Sequence, residues 1–128
     1  VNEELSQYGM RFTVGEHSAR HVRRIVRSYL GVWGMPELTD AAELTVTELL
    51  ANVVRHVPDR HCGLLILRHP EGLRVEVSDR ALELPLARDA GGDEESGRGL
   101  ALLDAVVDKW GVETRRGPGK TVWFEVGQ

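Results

Sequence analysis

Apolar positions along the chain follow two periods, and the switch between them marks out the elements. Tyr8, Met10, Phe12 and Val14 alternate with smaller or polar residues, which predicts a strand with one buried face. Beyond Gly15, Ala19, Val22, Val26, Tyr29 and Leu30 recur every three or four residues up to Gly31 and Gly34, which predicts a helix. A longer helical run covers 36–57, with Ala42, Val46, Leu49, Leu50, Val53 and Val57 on one side, and Pro58 and Asp59 break it. Residues 62–69 read as a well-buried strand, and Pro70, Glu71 and Gly72 connect it tightly to 73–79, where Leu73, Val75 and Val77 alternate. No period holds between Arg80 and Gly97. Leu100, Leu103, Val106 and Val107 then predict a helix from about Leu100 to Lys109. WGVETRR and TVWFEV, joined through Gly117, Pro118 and Gly119, predict a closing hairpin.

Strand, two helices, two strands, a long connection, a helix and two strands suit an α+β fold. The architecture expected is a two-layer α/β sandwich, one mixed or antiparallel sheet with helices on one face. Residues 1–7 are polar and expected to form a flexible tail, and 8–128 to form one domain. Hydrophobic content of 41%, charged content of 28% and a net charge of −4 give no global attraction to nucleic acid or anionic membranes, so neither is expected as a partner. Cys62 is the single cysteine, and no stretch resembles a signal peptide or an apolar span; a cytoplasmic protein is expected.

Candidate chemistry centres on ELLANVVRH, residues 48–56. At about 100° per residue, Glu48 and Asn52 are expected to point away from the apolar side, one turn from each other. Such a pair is either a solvated polar row or a site where an amide oxygen holds a hard cation and a carboxylate orients or deprotonates a nucleophile. His56, closer to the apolar border, reads as a structural histidine, and His61 and His69 have too few neighbouring ligands for a metal site. Arg20, Arg23, Arg24 and Arg27 line the first helix, either as a solvated face or as a dock for an acidic protein surface. The stretch from Arg80 to Gly97, with Pro85, Gly91, Gly92 and the acids Asp93, Glu94 and Glu95, reads as a lid or an insertion. Gly97 and Gly99 precede a helix, where bare N–H groups favour an anion, and Arg98 suits phosphate. The dinucleotide fingerprint is absent, because position 102 is Leu, and GKT at 119–121 lacks the glycine spacing of a P-loop.

ELLANVVRH, then VEVSD, then SGRGL, then Lys120 and Thr121 opening the last strand, resemble in order and spacing the boxes of the GHKL ATPase and kinase superfamily, the Bergerat fold. The resemblance covers about Tyr8 to Val126 and is closest to the anti-sigma-factor serine/threonine kinases. It implies ATP and Mg²⁺ as cofactors, with Asn52 as the metal ligand and Glu48 as the catalytic base. It further implies Asp79 as acceptor for the adenine amino group, Lys120 and Thr121 at the nucleotide, and Gly97, Arg98, Gly99 and Leu100 closing over the phosphates. The partners implied are a sigma factor and an anti-sigma antagonist, with a possible homodimer. One departure stands out: the family's x-Gly-x-Gly after the aspartate is replaced here by Arg80, Ala81, Leu82 and Glu83. Glycine permits close backbone approach, so the alternative implied is a catalytically weak or inactive regulatory module of the same fold.

Overall fold

A computed structural model of the chain describes residues 6–80, 103–114 and 119–127. Five strands and two long helices account for most of them. They are β1 (Gln7–Thr13), α1 (Ser18–Val32), α2 (Thr39–His56), β2 (His61–His69), β3 (Gly72–Asp79), β4 (Lys109–Thr114) and β5 (Lys120–Gly127). A single 3-10 turn at Pro36–Leu38 leads into α2. The strands form one sheet in the order β1-β2-β3-β5-β4, and every neighbouring pair is antiparallel. This is the α+β class expected from the order of elements, with the sheet antiparallel throughout.

Period-two alternation decides which side of the sheet each residue takes. Cys62, Leu64 and Ile66 of β2, Leu73, Val75 and Val77 of β3, and Val122, Phe124 and Val126 of β5 are buried against the helices. From the helix side Val22, Val26 and Leu30 of α1 and Ala42, Val46, Leu49, Leu50 and Val53 of α2 complete the core. Among the described residues no helix covers the opposite face. There Arg74 lies between Glu76 and Glu125, at 2.9 Å from each, with its guanidinium 4.2 Å from the Trp123 ring centroid. That arrangement combines charge-assisted pairing with a cation–π contact.

Two glycines are fixed by geometry. α1 ends with Gly34 at φ 75°, its N–H donating to Gly31 O and that of Met35 to Leu30 O. This left-handed closure satisfies two terminal carbonyls and seats buried Met35 beyond buried Leu30. At Gly72 an added Cβ would lie 2.0 Å from the Val126 carbonyl oxygen, so only glycine lets β3 start beside β5.

One expected boundary is corrected. Residues 103–106 are helical, but Lys109 is the first residue of β4 and not the last of a helix. Val107 N–H makes a helical bond to Leu103 O at 2.9 Å, and Asp108 N–H already donates to Glu125 O at 2.9 Å. The competing β5 acceptor turns the chain into the sheet one residue later. The start of that helix, the segment 81–102 with its acids and glycines, and the 115–118 part of the last turn lie outside the described residues.

Candidate functional site

The site is built where the C-terminal half of α2 crosses the ends of β3 and β5. Leu49, Asn52, Val53 and His56 of α2 face Val77 and Asp79 of β3 and Lys120 and Val122 of β5 around a small cavity. At about 100° per residue the four helical positions share one arc about 100° wide, with Asn52 at its border and Glu48 about 40° outside it. Asn52 therefore does not point away from the apolar side, as its place on the polar flank suggested: only 6% of it is exposed. Thr45, about two turns earlier on the same side of the helix, is also buried, and its hydroxyl is satisfied by donating to Ala41 O at 2.8 Å. The two polar residues widen the buried arc of α2 beyond its hydrophobic stripe.

Asn52 is the polar group that its surroundings leave incomplete. Its Oδ1 accepts a hydrogen bond from Arg55 Nη1 at 3.0 Å, which fixes the orientation of the amide, while Nδ2 is buried with no partner among the described residues. A buried unsatisfied donor costs about 1–3 kcal/mol, so such a group marks a seat for a ligand or water. An amide oxygen keeps a second lone pair after accepting from Arg55. It could hold Mg²⁺, which usually retains several waters and takes few protein ligands. No cluster of three or more His, Cys, Asp or Glu residues occurs among the described residues, so any cation here would rely on Asn52, water and ligand oxygens.

Across the cavity Asp79 and Lys120 stand directly opposite each other in the β3–β5 register. Lys120 Nζ donates to Asp79 Oδ1 at 2.9 Å, and the two side chains are 4% and 3% exposed for Asp79 and Lys120 respectively. The free space enclosed by these described residues is about 10 Å³, which is about the room one water molecule needs. The carboxylate that sequence reasoning assigned to a nucleobase is thus already engaged by a lysine from the neighbouring strand.

The other sequence candidates fall in different places. Glu48 is half-buried, one turn before Asn52, and outside the cavity lining. Thr121 is 8% exposed but belongs to the opposite face, where it pairs with Ser78 and lines a shallow groove with Arg11 and Gly63. Successive strand residues alternate between faces, so Lys120 enters the cavity and Thr121 cannot share it. Gly97, Arg98, Gly99 and Leu100 lie outside the described residues. Of the arginine stripe, Arg27 pairs with Glu43 of α2 at 2.8 and 3.2 Å and Arg23 donates to Thr47 at 3.2 Å. Arg20 and Arg24 are exposed and unpaired among the described residues. His56 lines the cavity, a contribution the spacing pointed to only as a border position.

Cys62 lies on β2 with no exposed surface. Burial, reinforced by the charge of Asp79 and only partly offset by Arg11, pushes its thiol up to about 11. The thiolate is the reactive form. At pH 8 a pKa of about 11 leaves about one thiolate in a thousand, so Cys62 is expected to resist aromatic disulfide reagents in the folded chain and to react promptly in denaturant. Because the folded thiol holds its proton more tightly than the unfolded one, the stabilisation is complete below the unfolded thiol's pKa and is lost as pH climbs toward about 11. Rapid labelling of the native chain at pH 8 would contradict this placement.

The histidine kinase-like ATPase domain family matches residues 12–126. An uncharacterized protein of Streptomyces coelicolor is 43% identical over 74 residues, which span 55% of this chain and 70% of that protein. Among solved structures, a chain of the SiaB–SiaC complex from Pseudomonas aeruginosa superposes with a TM-score of 0.68 over 93% of this chain and 88% of that one. At 11% identity that likeness speaks for the fold alone. No helix among the described residues is long and apolar enough to cross a membrane. With the family match running over nearly its full length, from the first strand to the last, the chain belongs to the histidine kinase-like ATPase domain family.

Proposed function

We propose that the chain binds ATP with Mg²⁺ at the α2–β3–β5 cavity and acts as an anti-sigma factor and serine/threonine protein kinase, phosphorylating a small antagonist protein. The observation that carries this reading is Asn52: a buried amide lining the cavity that also holds Asp79, with an N–H donor that has no partner among the described residues and suits a phosphate oxygen or water, and an oxygen that keeps a lone pair for the cation. When bound, Mg²⁺ would neutralise phosphate charge, and Asn52 is the residue that would hold it. Glu48, one turn earlier and partly open to solvent, would accept the proton of the attacking serine hydroxyl. Phosphoryl transfer asks mainly for positioning and charge neutralisation, which these residues can supply.

Protein partners fit the same reading. Arg20 and Arg24 present two uncommitted charges one turn apart on α1, a surface suited to an acidic helix or loop of a sigma factor. Pairing of two chains belongs to the reading as well, and the similar fold from Pseudomonas aeruginosa was solved in a complex of two different proteins.

A second reading keeps the fold and drops the transfer: a regulatory module acting by protein contact. The engagement of Asp79 by Lys120 and the water-sized cavity favour it. Incubation with γ-labelled ATP, Mg²⁺ and the cognate antagonist separates the two. Label on an antagonist serine supports the kinase. ATP binding without transfer to any partner serine leaves the regulatory module.

A further inference from the structure

The buried ion pair at the far end of the cavity has a consequence for what the site accepts. A carboxylate that reads the amino group of a base must offer a free lone pair at the end of an open slot. Here the slot contains the Lys120 side chain, with its ammonium 2.9 Å from Asp79 Oδ1 and only 2% of the residue exposed. Among the described residues, the space left beside it is about 10 Å³, which suits one water and is far below the size of a purine ring. Within the cavity Val77, Val122, Leu49 and Val53 present apolar groups to Lys120, and Asp79 is the only carboxylate among the described lining residues. Removing an ammonium from its carboxylate in such surroundings is unfavourable unless the charge reaches water or another anion.

We infer that Lys120 is an internal occupant of the base seat: its ammonium takes the place of a nucleobase amine on Asp79, and a purine nucleotide binds only by displacing it. This rests on the proposed nucleotide reading and adds the residue that sets affinity there. It differs from a phosphate-binding role for Lys120, because a lysine that contacts phosphate strengthens binding whereas an occupant weakens it. The two also separate by ligand: an occupant acts on the base and sugar half, a phosphate contact on the polyphosphate half.

The test measures binding of ATP, adenosine and inorganic tripolyphosphate, with Mg²⁺, to the wild-type chain and to Lys120→Ala and Lys120→Gln. Lys120→Ala empties the seat and removes the Lys120–Asp79 ion pair; Lys120→Gln keeps a neutral donor for Asp79 and protects the fold. Both variants are expected to bind ATP and adenosine more tightly than wild type, Lys120→Ala by about ten-fold or more, with tripolyphosphate unchanged. Equal or weaker binding of ATP and adenosine by both folded variants would overturn the inference and leave the nucleotide reading standing. Binding of neither ATP nor adenosine by any of the three chains would overturn both.

Discussion

Replacing Asp79 by leucine is expected to destabilise the chain by about 3–5 kcal/mol, because Lys120 would remain buried with its counter-charge gone. The two side chains are 4% and 3% exposed, so water cannot compensate in place, and among the described lining residues the ammonium has no other anion within the cavity. The double variant Asp79→Leu/Lys120→Met is expected to recover most of the loss, since an apolar pair of similar volume removes both desolvation penalties. Urea unfolding of the four chains of this cycle measures the coupling directly. If the single and double variants were equally stable, the ion pair would have to be open to solvent.

Glu48→Ala is expected to lower phosphate transfer to the antagonist by about 10²–10⁴, the usual contribution of a positioned general base. ATP affinity should change little, because Glu48 lies outside the cavity lining and one turn from Asn52. Loss of turnover with retention of binding is the signature of a group that acts in the transition state. Single-turnover transfer and equilibrium binding on the same preparation give both halves. Unchanged transfer would remove Glu48 from the mechanism and favour the regulatory module.

Much of the architecture was readable because burial imposes its own period. Val22, Val26 and Leu30 in α1, and the alternation of Val75, Val77, Val122 and Phe124 in the sheet, carry the signal in residue type alone. The part of the site that was not readable depends on contacts between distant segments. Asp79 and Lys120 could each be named from a box, but their pairing follows from β5 lying beside β3, with β4 pushed to the edge. Sequence carries no marker for that order. Asn52 was assigned to the polar flank because the helical stripe was drawn from hydrophobic residues only. Buried Thr45 and Asn52 extend the inward arc with groups whose polarity hides their burial. The resemblance brings Lys120 and Thr121 together at the nucleotide, whereas adjacency in a strand puts them on opposite faces. The end of the helix near Lys109 was missed for a related reason: the carbonyl of Glu125 competes for Asp108 N–H, and nothing local announces it.

Magnesium dependence of ATP binding, measured by calorimetry on wild type and Asn52→Ala, addresses the central claim most directly. Asn52→Ala removes an unsatisfied buried donor, so its fold is expected to persist. Wild type should bind ATP about ten-fold or more tightly with Mg²⁺ than with a chelator, and Asn52→Ala should lose that increment while keeping its metal-free affinity. An identical magnesium increment in both chains would contradict the account, because the cation would then be held somewhere other than the buried amide of α2.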